Sequence, residues 1–215
     1  MSIRVLIPVR PFEDGKRRLA PVLAPAERQN LNRCFFNHTV ETVLSVVRPA
    51  ECIVISRAAS ICAWAIERGL QALAEQSPAS LNNALEQGSV LAKAQRADAI
   101  LSLSCDLPFL TADDITAMLN AARHGKLVIA PDATETGTNA LLMSPVGAIA
   151  YRYGPSSFSA HRDAAEKAGL ELECIRRPGL LQDIDTPEDL ATHGGRQTML
   201  IHASRAGARN GWARW

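Results

Sequence analysis

The 215-residue chain is 47% apolar and 21% charged, the balance of an ordinary globular protein long enough for one sizeable core. A net charge of +1 excludes a global electrostatic attraction to nucleic acid or to a membrane surface, and no apolar stretch is long enough to span a bilayer. The five cysteines, Cys34, Cys52, Cys62, Cys105 and Cys174, contain no C-x-x-C pair, so neither a zinc site nor a disulfide framework is expected and a reducing, cytoplasmic location fits.

Strand and helix signals alternate along the chain. Ile3 to Val9 reads as a buried strand. Residues 26–47 carry helical spacing, with Leu31, Phe35, Val43 and Val47 on one side. A second strand follows at 52–55, then a short helix over 58–68 ended by Gly69. A helix over 80–94 has Ser80 as its cap, and 99–103 is a strand. Thr111 and Asp114 form a capping box for a helix reaching about residue 123. Residues 127–130 and 140–143 read as strands, 156–168 as a helix ended by Gly169, and 170–175 as a late strand. This alternation predicts a three-layer α/β domain with a mostly parallel sheet, over residues 1–193. Residues 194–215 change character. They carry Arg196, Arg205, Arg209 and Arg214 and no acid, and read as a basic, loosely ordered tail. Subtracting those four charges from +1 leaves the rest of the chain at −3.

In sheets of this kind ligands bind beyond the carboxyl ends of the strands, and polar residues collect at those places. Arg10, Lys16, Arg17 and Arg18 follow the first strand. Such a loop suits phosphate: arginine grips two oxygens and lysine brings a mobile point charge. With Gly15 its sole glycine, it is neither a Walker loop nor a dinucleotide fingerprint. Asp106 follows the strand at 99–103, where it also suits a turn before Pro108. The stretch from Pro131 to Ala140 is a polar loop whose Gly137 allows close backbone approach to a ligand. Gly154 to Ser157 enters a helix whose free N–H groups and hydroxyls favour an anion. His161, one turn on, reads as a surface residue.

The segment from Asp183 to Leu190 is the most informative. Thr186 caps a helix, Pro187 takes its first position, and Glu188 and Asp189 suit its positive end. Asp183 and Asp185 have no such explanation. In extended chain they point to one side, where two carboxylates repel unless a cation lies between them, and a divalent metal is the obvious one. A basic loop, acidic points at two strand ends and an anion site together indicate a nucleoside triphosphate bound with Mg²⁺ beside a second phosphorylated compound. Attack on the α-phosphate then releases pyrophosphate. A phosphate monoester is already mostly dianionic at neutral pH, so no strong general base is needed.

Several motifs occur in a specific order: Ile7-Pro8-Val9-Arg10, Gly15-Lys16-Arg17-Arg18-Leu19-Ala20, Leu81-Asn82-Asn83-Ala84-Leu85, Asp106-Leu107-Pro108, Pro131-Asp132, Gly137 to Leu142, Gly154-Pro155-Ser156-Ser157-Phe158 with His161, and Asp183 to Leu190. Over residues 3–192 the chain resembles the guanylyltransferases of factor 420 (deazaflavin coenzyme) biosynthesis, which transfer GMP from GTP to 2-phospho-L-lactate, phosphoenolpyruvate or 3-phospho-D-glycerate. The resemblance implies a Rossmann-like nucleotidyltransferase domain with a mixed, mostly parallel sheet. It implies that Lys16 and Arg18 hold the GTP phosphates with Arg10 in support, that Asn82 lies near the nucleoside, and that Asp106, Asp183 and Asp185 hold Mg²⁺. Lys16, Arg18 and Asp106 would then carry catalysis. Thr138, Gly154 and Ser157 match positions that contact the three-carbon acid. Arg10 stands where the family often has lysine, and Gly15 where it often has alanine. A homodimer is compatible with this reading, and nucleic-acid or membrane partners are not expected. Two rivals remain in view: a molybdopterin-type nucleotidyltransferase, disfavoured by the glycine-poor first loop, and a non-catalytic nucleotide-binding domain, disfavoured because all three carboxylates are present.

Overall fold

A computed structural model describes residues 1–192; the expected basic tail at 194–215 lies outside them. Seven strands form one sheet: β1 (Ile3–Pro8), β2 (Cys52–Ser56), β3 (Gln71–Ala74), β4 (Ala99–Leu103), β5 (Lys126–Pro131), β6 (Thr138–Ser144) and β7 (Glu171–Cys174). Among the described residues seven α-helices accompany them: α1 (Pro25–Leu44), α2 (Ala59–Glu67), α3 (Leu81–Ala94), α4 (Ala112–Asn120), α5 (Ser157–Lys167), α6 (Pro178–Leu181) and α7 (Pro187–Thr192). The strand order is β3-β2-β1-β4-β6-β5-β7. Only β6 runs antiparallel to its neighbours β4 and β5. The carboxyl ends of the other six strands and the amino end of β6 therefore share one edge of the sheet.

Local signals explain the helix starts. The Ser80 side chain accepts from Asn83 N–H at 3.1 Å to open α3. Thr111 and Asp114 cap α4 reciprocally, at 3.3 and 2.9 Å. Thr186 accepts from Asp189 N–H at 3.2 Å, with Pro187 at the first position of α7. Gly69 and Gly169 end α2 and α5 with positive φ of 75° and 65°, a conformation that costs glycine nothing. β3 was not foreseen from the sequence. It is four residues long and half-exposed at the sheet margin, too short to show a period.

The strands β2, β4, β5 and β6 are buried throughout, so both faces of the sheet are covered. One face packs Val5, Ile7, Val54 and Leu101 against Phe36, Val40, Trp64 and Ile115 from α1, α2 and α4. The other packs Leu6, Ile53, Ile100 and Leu141 against Leu85 and Ala92 of α3 and Phe158 and Ala165 of α5. α3 sits close to the sheet because Gly88 faces it: a Cβ there would lie 2.6 Å from Ile55 Cδ1 and 3.1 Å from Leu6 Cδ1. A third, smaller cluster joins Leu19, Leu31, Phe35, Ile184 and Leu190. It ties the basic loop after β1 to the segment before α7, and so sets where Lys16 and Asp185 meet. Among the described residues no helix is long and apolar enough to cross a membrane.

Candidate active site

A cleft of about 680 Å³ lies along the shared edge. It is lined by the basic loop (Arg10 and Lys16 to Arg18), by Ser104, Cys105 and Asp106 after β4, and by Asp185. Lys16 is its centre. The Lys16 backbone adopts the left-handed conformation (φ 52°, ψ 37°), which a non-glycine residue takes at a cost of about 1–2 kcal/mol. The turn aims its side chain inward, where it is only 5% exposed. Its ammonium donates to Asp106 Oδ2 at 2.7 Å and to Asp185 Oδ1 at 2.8 Å. Burial on its own pushes the Lys16 pKa down. The Asp106 and Asp185 carboxylates outweigh burial and hold it above the ordinary lysine value.

Burial first, and then the like charges of Asp106 and Asp185, push the Asp183 carboxyl up to about 6. Asp106 and Asp185 thus meet at a lysine, and Asp183 lies near enough to feel their charge. Among the described residues no group of three or more His, Cys, Asp or Glu is drawn together closely enough to hold a metal ion. The Lys16 ammonium already pairs with Asp106 and Asp185. The donor chemistry still fits a hard divalent ion: oxygen ligands only, in excess of the single charge Lys16 supplies. Arg18 is 76% exposed and reaches Asp185 at 3.9 Å. Arg10 is exposed at the cleft wall. Both guanidiniums are placed to meet an anion entering from solvent.

Asn82 does not face this cleft as expected of a nucleoside contact. Its Nδ2 donates to Tyr153 O at 3.0 Å and its Oδ1 accepts from Tyr153 N–H at 2.8 Å. That paired bond clamps the start of α3 to the segment before α5. Gly137 is likewise explained from within. The Asp132 carboxylate accepts from Thr136 N–H at 2.9 Å and Gly137 N–H at 2.8 Å, and a Cβ on Gly137 would lie 2.6 Å from Asp132 Oδ2. The glycine admits a carboxylate of its own chain.

Thr138, Ser157 and His161 form a second polar group at the amino end of β6. His161 is fully buried, not a surface residue. Arg152 N–H donates to its Nε2 at 2.9 Å, so that nitrogen carries no proton. The neutral ring then bears its proton on Nδ1 and donates to Thr138 Oγ1 at 3.1 Å. Ser157 Oγ also donates to Thr138 Oγ1, at 3.2 Å. With two donors fixed on its oxygen, Thr138 keeps its own proton to give to another group. Burial, and then the charge of Arg152, lower the His161 pKa to about 4. The start of α5 is less open to an anion than the sequence suggests: Ser157 N–H and Phe158 N–H are taken by Gly154 O (3.2 Å) and Thr136 O (3.1 Å). Ser157 does not cap the helix, since Ser156 holds that position. Gly154 has φ of 140° with no atom within 4 Å of a Cβ built on it. Ser104 N–H donates to Asn139 O at 2.9 Å, which connects this group to the loop bearing Asp106.

Asp14, Arg57 and Glu75 also line the cleft and were missed by sequence reasoning. Arg57 pairs with Asp14. Arg57 and Glu75 follow the ends of β2 and β3, so recognising β3 is the signal that would have found Glu75. Burial pushes the Cys105 thiol up to about 12, away from the thiolate form a nucleophile needs.

Comparison with known proteins agrees with this architecture. A family model described as "Guanylyl transferase CofC like" matches residues 3–210. The chain is 36% identical over 195 residues to a phosphoenolpyruvate guanylyltransferase of Rubrobacter xylanophilus, covering 89% of this chain and 93% of that one. It is 32% identical to a 2-phospho-L-lactate guanylyltransferase of Methanothermobacter thermautotrophicus, covering 88% and 83%. Among solved structures, a nucleotidyl transferase from Methanothermobacter superposes with a TM-score of 0.65 at 16% identity, over 93% of this chain and 98% of that one. That likeness shows the Rossmann-like nucleotidyltransferase fold.

Proposed function

The chain belongs to the CofC-like guanylyl transferase family of nucleotidyltransferase enzymes, and on that premise we propose that it transfers GMP from GTP to a phosphorylated three-carbon acid in coenzyme F-420 biosynthesis. The acids in question are phosphoenolpyruvate, 2-phospho-L-lactate and 3-phospho-D-glycerate. A phosphate oxygen of the acid forms a bond to the α-phosphorus of GTP. The bond from that phosphorus to the α–β bridging oxygen breaks, and pyrophosphate leaves with the electron pair.

The observation that supports this reading best is the Lys16 ammonium, buried at the cleft floor between Asp106 and Asp185. A permanent positive charge held there by its neighbours is placed to take phosphate oxygens in exchange for carboxylate. Arg10 and Arg18, exposed at the wall, neutralise the rest of the triphosphate as it arrives. Asp106, Asp183 and Asp185 would hold Mg²⁺, which supplies charge neutralisation at the phosphates when bound. Thr138 donates a hydrogen bond from its hydroxyl to the acid, with Ser157 and His161 fixing its direction. No side chain must take a proton from the attacking phosphate, because that group is already mostly ionised at neutral pH. The residues position and neutralise.

Pyrophosphate release from GTP and Mg²⁺ with each of the three acids is the test. At least one acid supports turnover, and Asp106→Asn lowers it by ~100-fold or more, the scale of losing a charge-stabilising group. Full activity in Asp106→Asn, or no pyrophosphate with any of the acids, refutes the reading.

A further inference from the structure

We infer that Glu75 is the residue that reads guanine, its carboxylate accepting from the base's N1–H and 2-amino group. The inference rests on the proposed binding of GTP in this cleft and extends it to the choice of base.

The carboxylates that line the cleft are Asp14, Glu75, Asp106 and Asp185. Three of them are spent. Asp106 and Asp185 hold Lys16, and Asp14 holds Arg57 and Arg17. Glu75 is half-buried and its side chain has no hydrogen-bond or ion-pair partner among the described residues. Its backbone is fixed: Glu75 N–H donates to Ser56 O at 3.0 Å, continuing the β2–β3 pairing beyond the last strand residue. An acceptor with two oxygens is therefore held on a rigid strand end, inside a cleft, with nothing among the described residues to accept from.

The cleft is also polar in the electrostatic sense. Lys16 and Arg18 lie at the β1 and β4 end, with Arg10 on the wall, and Glu75 lies beyond β2 at the β3 end. A carboxylate repels a triphosphate, so the phosphates go to the lysine and the uncharged end of the nucleotide faces Glu75. The two ends follow strands separated by β2 and β1, three inter-strand spacings, or ~14 Å. That is about the reach from the α-phosphate to the far edge of a purine. Pro8, Ile55, Leu81 and Ala84 line the stretch between and offer apolar surface for the ring.

A carboxylate there distinguishes the bases by chemistry. Guanine presents two adjacent donors, N1–H and the 2-amino group, which match two carboxylate oxygens. Adenine and cytosine present one donor beside a bare ring nitrogen, whose lone pair opposes the carboxylate. Uracil presents one N–H flanked by two carbonyls. Leaving a charged acceptor unmatched makes the discrimination large.

The experiment measures kcat/KM for GTP, ITP (no 2-amino group), dGTP (no 2′-hydroxyl) and ATP by pyrophosphate release, in wild type, Glu75→Gln and Glu75→Asp. Glu75→Gln is expected to lower kcat/KM for GTP by about 10- to 100-fold, the range for a charged hydrogen bond. It should also collapse the GTP-over-ITP ratio, improve ATP relative to GTP, and leave the KM for the acid unchanged. Glu75→Asp keeps the charge on a shorter stem and falls between. Unchanged GTP:ITP and GTP:ATP ratios in Glu75→Gln overturn the inference. So does an altered GTP:dGTP ratio with GTP:ITP intact, which makes Glu75 a ribose contact. A wild type inactive with GTP and all three acids ends the parent reading instead, so the two failures are separate.

Discussion

Replacing His161 with phenylalanine tests the buried polar group through both stability and kinetics. The variant keeps a flat ring but removes both nitrogens. Arg152 N–H loses its acceptor and Thr138 loses one of its two fixed donors. An unsatisfied buried donor costs about 1–3 kcal/mol, so the variant should be less stable by about that amount at pH 7.5. The pH dependence separates this from a simple packing change. The His161 pKa falls from 6.5 in the ordinary state to about 4 in the fold, so the unfolded chain binds its proton first. The neutral histidine's contribution is therefore full above pH 6.5 and is lost as pH falls toward 4. At about 1.4 kcal/mol per pKa unit, the whole gap is worth about 3 kcal/mol. By pH 5.5 the loss reaches about 1.4 kcal/mol. Urea unfolding of both proteins at pH 7.5, 6.5, 5.5 and 4.5 should show the stability difference shrinking with acid, since other groups titrate alike in both. Steady-state kinetics should show a raised KM for the acid with the KM for GTP little changed. Parallel stability curves, or a His161 imidazole that titrates near 6.5 by NMR, would refute the proton placement and with it the donor role of Thr138.

Three further outcomes are expected. Lys16→Met should reduce kcat/KM for GTP by ~100-fold or more with the circular dichroism spectrum unchanged; wild-type kinetics would show that the ammonium is only a counter-ion. Ser157→Ala should raise the KM of the acid more than that of GTP, by the equivalent of about 1 kcal/mol for one hydrogen bond, and a shift confined to the melting temperature would assign Ser157 a structural role alone. Gly88→Ala places a Cβ 2.6 Å from Ile55 Cδ1, a terminal methyl in the packed core, and its packing cost of about 1–3 kcal/mol should outweigh the ~1 kcal/mol helix-propensity gain of alanine in urea unfolding; a raised midpoint would mean the core yields freely around α3.

What the sequence determined by itself was local. Ser80, Thr111 and Thr186 opened helices where expected because a cap needs only the next three residues. Buried strands such as Cys52–Ser56 and Ala99–Leu103 showed as apolar runs because both faces are covered. The placing of Lys16 and Asp106 just after strands was also legible, since strand ends can be read from punctuation; Asp183 and Asp185, expected at a strand end, instead lie between α6 and α7. Relations over distance were not. The Lys16 bridge spans 90 residues to Asp106 and 169 to Asp185, and only packing of Leu19 and Ile184 into one cluster brings the three together. Asn82 became a clamp because Tyr153, 71 residues on, presents its backbone to it. His161 became an internal donor because α5 lies against the sheet beside Thr138, which no helical period reveals. β3 escaped notice as a short, half-exposed strand, and Glu75 went with it. Composition and local pattern specify which elements form. Which side chains meet is decided by how those elements close on one another, because burial and long-range hydrogen bonds act only after the chain has come together.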